Sequence, residues 1–179
     1  SSNYGSFTGS INAKLIKSTG AKYIIIGHSE NRNNGETDLI INKKIHSALK
    51  ENLKVIFCIG EQLSDKRKKN TFKVLKSQLY NGLKGIKKCK NIIFAYEPVW
   101  SIGTGRVPKS LELIININNI RKILNNLKKS INAKILYGGS VNPKNAKELA
   151  EIKEINGFLI GGASLSANKF IDIIKKSTN

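Results

Sequence analysis

The sequence predicts an α/β fold in which about five strand–helix units share one parallel sheet. Short apolar runs alternate with longer amphipathic segments along the whole chain, which is the pattern of strands connected by helices. The apolar runs are rich in Ile, Val and Phe, as expected for strands that are covered on both faces. Because parallel strands end at the same edge of a sheet, the residues that follow them are expected to meet there.

Five apolar runs are predicted as the strands: residues 22–27, 54–59, 91–96, 134–137 and 157–160. Five amphipathic segments are predicted as the helices: residues 37–51, 71–83, 109–128, 143–151 and 166–176. In the first helix, Ile45 and Leu49 fall near one face while Lys43 and Lys50 reach water. In the fourth, Pro143 is predicted as the first helical residue, with Asn142 as its cap.

Four of these strands end in residues that suit acid–base chemistry or phosphate binding. The first leads into His28-Ser29-Glu30 and the third into Glu97-Pro98. A carboxylate becomes a stronger base where water is excluded, and an imidazole can pass protons between two oxygens. Taken alone, Glu97 is more simply interpreted as a solvated carboxylate at a strand end; Pro98, which stops the strand, and the glycine-rich segment that follows favour a functional role. The fourth and fifth strands lead into Gly138-Gly139-Ser140 and Gly161-Gly162, whose amides can approach an anion without obstruction by a Cβ.

The sequence gives no sign of a metal site, a disulfide framework or a membrane span. Cys58 and Cys89 lie far apart without a CxxC pair, and His46 has no partner at metal-ligand spacing, so its predicted role is structural. The chain starts without the blocks of a signal peptide, and no apolar run approaches the ~18 residues of a span. We therefore expect a cytoplasmic protein that needs no metal.

The chain is strongly basic, with 31 Lys and Arg against 12 Asp and Glu and a formal charge of +19. Such a charge attracts polyanions, nucleic acid among them. The lysines are, however, spread over nearly every predicted helix and are not clustered with aromatic residues. We interpret the charge as a bias of the whole composition, expect no nucleic-acid partner, and expect some attraction of any anionic substrate.

Four motifs, in their order along the chain, closely resemble the triosephosphate isomerase family: Gly27-His28-Ser29-Glu30, Ala95-Tyr96-Glu97-Pro98-Val99-Trp100, Tyr137-Gly138-Gly139-Ser140 and Gly161-Gly162-Ala163-Ser164. The resemblance covers essentially the whole chain. It also includes Phe7-Thr8-Gly9, Gly35-Glu36-Thr37-Asp38 and Cys58-Ile59-Gly60-Glu61. It implies that Glu36 and Glu61 are structural carboxylates and not catalytic ones.

The resemblance implies the TIM (β/α)8-barrel fold, here as an incomplete barrel. Such barrels typically need roughly 250 residues, whereas this chain has 179. The match begins at what resembles the loop after the family's third strand. We therefore expect a single partial TIM-barrel domain over residues 1–179, with about five βα units.

The resemblance also implies the reaction, which is the interconversion of dihydroxyacetone phosphate and glyceraldehyde 3-phosphate without a cofactor. Glu97 is then the base and His28 the group that polarises the carbonyl; this pairing is the standard example of pKa tuning from that family. Ser101-Ile102-Gly103-Thr104-Gly105 resembles the lid that shields the intermediate from water. The expected substrate-binding residues are Gly103, Ser140, Gly161 and Gly162.

Three departures from the family pattern bear on activity. The family's Asn and Lys at the end of its first strand are not found here, and losing such a charge lowers rates by orders of magnitude. Asn31 stands where the family usually has an arginine, so a local ion pair is lost. Arg106-Val107-Pro108 is a less usual second hinge for the lid.

Two partners of the chain are expected. Five strands cannot close an eight-stranded barrel, and open strand edges tend to pair with other chains. An amino-terminal segment with three further βα units is therefore expected to complete the fold. Phe7-Thr8-Gly9 resembles the loop through which the family's subunits form dimers, so a homodimer is expected.

Two other functions stay open on the sequence. One is a non-catalytic remnant with the same fold, which a Glu97→Asp substitution without effect in a complementation assay would favour. The other is a basic nucleic-acid-binding module, which failure to retain DNA or RNA at any salt concentration would dismiss.

Overall fold

Four parallel strands form one sheet in the order in which they occur along the chain. In the computed structural model, which describes residues 11–129 and 132–178, they are β1 (Tyr23–Ile26), β2 (Lys54–Ile59), β3 (Ile92–Tyr96) and β4 (Ile135–Tyr137). Each strand pairs in parallel with the next one. The predicted α/β class and parallel sheet are therefore confirmed.

The fifth predicted strand, residues 157–160, forms only an isolated bridge between Phe158 and Tyr137 of β4. Two backbone hydrogen bonds support it, from Tyr137 N to Gly157 O at 3.0 Å and from Leu159 N to Tyr137 O at 2.9 Å. Among the described residues, no strand pairs with its other edge. The prediction of five full strands is wrong here, because a segment with a neighbour on one side makes too few ladder bonds.

Eight α-helices surround the sheet within the described residues: α1 (Ala13–Ser18), α2 (Ser29–Asn33), α3 (Asp38–Lys50), α4 (Leu63–Arg67), α5 (Thr71–Gly82), α6 (Ser110–Asn126), α7 (Ala146–Ala150) and α8 (Ala167–Thr178). The five predicted helices correspond to α3 and α5 to α8. The sequence did not predict α1, α2 and α4, which have only five or six residues each and show no amphipathic period of their own.

The start of α7 differs from the prediction. Pro143 lies before the helix, which begins at Ala146. A side-chain-bonded turn occupies the intervening residues, because Asn142 Oδ1 accepts from Lys144 N at 2.8 Å and Asn145 Oδ1 accepts from Asn142 N at 2.8 Å. Asparagine side chains compete with the helix for backbone donors in this way, so the first turn is not α-helical.

The core lies between the sheet and the helices α3, α5 and α6. Phe57 of β2 and Phe94 of β3 are fully buried, with ring centroids 6.2 Å apart. By contrast, Tyr23 and Ile25 of β1 are each 46% exposed. Within residues 11–129 and 132–178, the two edges of the sheet, β1 and residues 157–160, have no further strand beside them, and we call them the free margins. No helix in the described part of the chain is long and apolar enough to cross a membrane.

Candidate active site

His28 and Glu97, which follow β1 and β3, lie side by side at one edge of the sheet. His28 Nε2 is 3.4 Å from Glu97 Oε1, and both residues line one cavity of about 700 Å³. The two residues are far apart in the sequence, but their strands are separated only by β2, which lies between β1 and β3. The sheet thus brings together the two residues that the sequence predicted as base and electrophile.

Contacts between β2 and β3 fix the backbone of Glu97. Its N–H donates to Ile59 O at 2.8 Å. The next residue of that neighbouring strand end is Gly60, where a Cβ would overlap the Glu97 carbonyl. Glycine is therefore required at position 60, and its lack of a side chain lets the Glu97 backbone lie directly against β2.

The Glu97 side chain is 2% exposed, and its two oxygens differ in their bonding. Oε2 accepts from Ser29 N at 3.2 Å. Oε1 is buried and accepts no hydrogen bond from any residue that the structure describes. An unsatisfied carboxylate oxygen in a buried place has a strong tendency to take a proton.

Burial is the main influence on the acidity of Glu97, and it raises the pKa of that carboxyl group. The nearby His28 ring, the Cys58 thiol, the Ser29 amide and the Arg32 guanidinium act in the opposite direction and lower it. The net result is a raised pKa. Glu97 is therefore a stronger base than a carboxylate in water.

Arg32 joins three parts of the chain behind this pair. Its Nε donates to Gly27 O at 2.8 Å, its Nη2 donates to Cys58 O at 3.2 Å, and its Nη1 pairs with Asp38 Oδ1 at 2.7 Å. The guanidinium thereby connects the ends of β1 and β2 with the start of α3. The sequence analysis missed this role, because the partners are carbonyl groups that carry no sequence signal.

The contacts of His28 define which of its ring nitrogens carries a proton. His28 precedes α2, and its Nδ1 accepts from Glu30 N at 3.4 Å. An acceptor nitrogen has no hydrogen, so the neutral ring carries its proton on Nε2. Nε2 is also the ring nitrogen that lies 3.4 Å from Glu97 Oε1, and both residues line the cavity.

The predicted phosphate-binding residues line the same cavity. Ser140, Gly161 and Gly162 all do so, and the space in front of the two glycines is open. Lys144 and Lys169 also line it and add positive charge at that end. The sequence could not single out these two lysines, because lysine is common over the whole surface.

The predicted lid covers one side of the cavity. Val99–Ser101 forms a short 3₁₀ helix, and Gly103 and Gly105 have φ angles of +68° and +73° that favour glycine. Gly103 lines the cavity, as expected for a substrate contact. Hydrogen bonds join this segment to the loop after β4: Gly105 N donates to Ser140 Oγ at 3.2 Å, and Ser140 Oγ donates to Ser101 O at 2.7 Å.

Trp100, at the start of the lid, is held from two sides. Its Nε1 donates to Glu61 Oε1 at 2.8 Å, and Lys66 Nζ lies 3.6 Å from the centroid of its ring. Lys66 in turn pairs with Glu112 at 2.6 Å. Glu61 is fully buried and also accepts from Tyr96 Oη at 3.1 Å, which fits its predicted structural role.

The remaining candidates have no catalytic surroundings. His46 Nε2 lies 3.0 Å from Lys84 O, a contact that fits a structural role. Cys58 and Cys89 are buried and unpaired. Within the described ranges, no three His, Cys, Asp or Glu residues are grouped so as to hold a metal ion.

Comparisons with known proteins agree on one family. The family model described as triosephosphate isomerase matches residues 1–177. The triosephosphate isomerase of Thermodesulfovibrio yellowstonii is 45% identical over 97% of this chain and 72% of its own length. That of Ruthia magnifica is 47% identical over 96% of this chain and 71% of its own length.

A solved structure gives the same answer for the fold. The crystal structure of triosephosphate isomerase from Bartonella henselae superposes with a TM-score of 0.90 at 36% sequence identity. The match covers 99% of this chain and 73% of that protein. With the paired His28 and Glu97 at the shared sheet edge, these matches establish the assignment: the chain belongs to the triosephosphate isomerase family.

Proposed function

We propose that the chain interconverts dihydroxyacetone phosphate and D-glyceraldehyde 3-phosphate by proton transfer through an enediolate. The observation that carries this proposal is the buried, unbonded Oε1 of Glu97, which faces His28 Nε2 across 3.4 Å at the cavity wall. A carboxylate base beside an imidazole donor supplies both groups that an aldose–ketose isomerisation needs. The family's name gives the substrate class.

In the proposed reaction, Glu97 Oε1 takes a proton from the carbon next to the carbonyl group. His28 Nε2–H donates a hydrogen bond to the carbonyl oxygen, where negative charge develops. His28 Nε2 gives its proton to this oxygen and takes the proton of the neighbouring hydroxyl group, while Glu97 returns its proton to the neighbouring carbon. The two carbons thereby exchange oxidation states without an external oxidant. Glu97 is again ionised and can start another turnover.

The phosphate group is proposed to bind at the glycine-bearing end of the cavity. The ligands are the backbone amides at Gly161 and Gly162, Ser140, and Gly103 of the lid. Lys144 and Lys169 line that end and favour an anion there. The lid excludes water, which protects the enediolate from losing its phosphate.

Running the reaction in deuterated water tests the proton transfer. A proton held on a carboxyl group exchanges with solvent before it returns to carbon, so the product is expected to carry deuterium at the carbon that is reprotonated. Mass spectrometry of the product measures this label. Product formed at the catalysed rate without any deuterium would contradict Glu97-mediated transfer, and no product from the completed barrel would favour the non-catalytic remnant.

The rate is expected to fall in acid at a pH above the ordinary Glu pKa of 4.5, because burial raises the pKa of Glu97. Glu97 acts as a base only when ionised, so activity is present above the raised pKa and is lost as the pH falls through it. The measurement is kcat/KM as a function of pH. An acid limb at or below 4.5 would contradict the burial argument.

A Cys58→Ala variant tests whether the pKa of Glu97 determines the acid limb of the pH profile. The Cys58 thiol lowers the pKa of Glu97, so its removal is expected to move the acid limb to higher pH. A matched change at Cys89, the other buried cysteine, removes no group that influences Glu97 and is expected to leave the limb in place.

The amino-terminal part of the barrel is proposed as a partner of this chain, whether it belongs to the same polypeptide or to another. The support is the pair of free margins, at β1 and at residues 157–160, in a family whose barrels have eight strands. In this proposal residues 1–179 form one partial barrel domain of about five βα units, the fifth of which becomes a full strand when its free edge is paired.

A homodimer is also proposed. Phe7-Thr8-Gly9, the segment that resembles the family's dimer loop, lies outside the described residues, but Ile11 and Leu15 directly after it are 73% and 54% exposed. Exposed apolar side chains that follow this segment so closely in the sequence support an interface in this part of the chain. Light scattering that gives the mass of one chain at micromolar concentration would contradict it. We also propose that the protein is located in the cytoplasm.

A further inference from the structure

The segments that lead into the four strands are rich in lysine. They are residues 19–22, 51–54, 83–91 and 127–134, and they lie at the edge of the sheet opposite to His28 and Glu97, because parallel strands all start at one edge. Their one carboxylate is Glu51. Their nine lysines are Lys22, Lys54, Lys84, Lys87, Lys88, Lys90, Lys128, Lys129 and Lys134.

Backbone hydrogen bonds hold these four segments side by side. The bonds run from Lys54 N to Lys22 O at 2.9 Å, from Val55 N to Asn91 O at 2.9 Å and from Cys89 N to Lys129 O at 3.3 Å. Neighbouring strands lie about 4.8 Å apart, so the four strand starts span about 15 Å. The four segments therefore form one continuous surface, which we call the basic face.

The lysines of the basic face have no counter-charge among residues 11–129 and 132–178. Eight of the nine are exposed, and Lys129 donates through its Nζ to Ile86 O. The lysines that do pair with carboxylates in this part of the chain, Lys44, Lys66 and Lys176, belong to α3, α4 and α8. Unpaired positive charges within one or two Debye lengths of each other, about 8 Å each, attract a polyanion.

The opposite edge of the sheet has mixed charge. The segments that follow the strands contain the carboxylates Glu36, Glu61 and Glu97 together with Arg106 and Lys144. The excess of positive charge is therefore concentrated on one face, whereas the sequence suggested an even spread over the helices.

The apolar residues of the basic face favour a polar partner over a lipid surface. Leu53, Leu83, Ile86 and Cys89 are at most 4% exposed. Binding to a bilayer gains strength from apolar side chains that enter it, in addition to the attraction of basic residues to anionic lipids. The apolar residues named here are already in the core, so the face offers a partner charge and hydrogen bonds.

Exposed asparagines lie among these lysines, at positions 52, 91 and 132. Lysine and asparagine side chains are both common donors to the phosphate oxygens of nucleic acids. We propose that the basic face binds the phosphate backbone of nucleic acid without reading its sequence. This activity is separate from isomerisation, because it uses the other edge of the sheet. It replaces the expectation of no nucleic-acid partner, which assumed evenly spread lysines.

Two fourfold variants of equal net charge separate the basic face from the total charge. In the basic-face variant, glutamine replaces Lys87, Lys88, Lys90 and Lys134. In the control variant, glutamine replaces four exposed lysines of α3, α5 and α7, which are Lys43, Lys73, Lys76 and Lys147. Each variant removes four positive charges from the same total of +19.

Fluorescence anisotropy of a labelled oligouridine of about 16 nucleotides, a site size known for single strands, measures binding to the 179-residue chain over a range of salt concentrations. Each phosphate contact with a single strand contributes about 0.7 to the slope of log affinity against log salt. The basic-face variant is expected to lower this slope by about 2.8 and to bind at least about tenfold more weakly at 0.1 M salt. The control variant is expected to change the slope by less than about 0.7.

Equal weakening in both variants would overturn the proposal, because binding would then depend on total charge alone. No binding of the oligouridine by the unchanged chain would also overturn it, and binding of phosphatidylserine vesicles in its place would identify a lipid partner. Arginine at the same four positions covers the case in which the glutamine variant does not fold. That variant is expected to keep the affinity of the unchanged chain, and loss of binding would contradict the proposal.

Kinetics of the completed barrel keep the two activities apart. No lysine of the basic face lines the cavity, so the basic-face variant is expected to leave kcat unchanged. Loss of kcat together with loss of binding would overturn the inference, since it would show damage to the whole fold. A barrel that binds the oligouridine but does not isomerise would refute the proposed function alone.

Discussion

Addition of the amino-terminal part of the barrel is expected to raise isomerase activity of the 179-residue chain by at least about 100-fold, the typical effect of one charge-stabilising group. Two physical reasons apply. The resemblance implies a lysine at the end of the family's first strand, and the matching motifs of this sequence do not include that strand. The cavity is also open on the side of β1, where Ile25 is 46% exposed and lines the cavity wall.

The second free margin has the apolar surface that a completing segment needs. A groove of about 640 Å³ runs between residues 157–160 and α8. Phe170 and Ile174 of α8 line it and are 37% and 46% exposed. Burying such side chains contributes about 1.5–3 kcal/mol each, so strands placed here are expected to be held firmly.

The measurement compares three samples in a coupled assay of triose phosphate interconversion. The first is the chain alone, and the second is the chain joined to the remaining part of the Thermodesulfovibrio yellowstonii relative. The third is the same fusion with the lysine at the end of the first strand changed to Met, which separates closure of the fold from charge. Full activity of the first sample would contradict the prediction.

Glu97→Asp is expected to lower kcat by about 100-fold or more in the completed barrel. The substitution keeps the carboxylate but withdraws it by one methylene, and a misplacement of about 1 Å at a reacting group costs about that factor. Because the phosphate-binding residues are untouched, KM is expected to change little. A drop in kcat and kcat/KM together identifies an interaction made in the transition state.

Glu30→Asp is the matched control for this substitution. Glu30 Oε2 lies 3.8 Å from His28 Nδ1, close to the site, but its side chain is 83% exposed and does not line the cavity. The same shortening there is expected to change kcat by less than twofold. Equal activities of Glu97→Asp and the unchanged chain would remove Glu97 from the mechanism and favour the non-catalytic remnant.

The central geometry of the site could be predicted from strand ends alone. His28 and Glu97 each follow an apolar run, and parallel pairing of those runs places both residues at one edge. The same argument brought Ser140 and Gly161 to this edge, because glycine-rich ends of β4 and residues 157–160 follow the same rule.

Features that depend on tertiary partners could not be predicted. Residues 157–160 have the composition of a strand, but strand formation needs a neighbour on the free edge. Ser101 and Arg32 act mostly through backbone groups of distant residues, and such contacts leave no periodic pattern in a sequence. Asn142 and Asn145 use their side chains to form a turn, which overrides the preference of Pro143 for a helix start.

Trp100 is the single tryptophan of the chain. Its indole is fixed by a carboxylate on one side and an ammonium group on the other, at the residue where the lid begins. Indole emission changes in colour and intensity when neighbouring charges move. The protein therefore carries its own optical reporter at the hinge, and opening of the lid can be followed in real time by intrinsic fluorescence, without a label or a substitution.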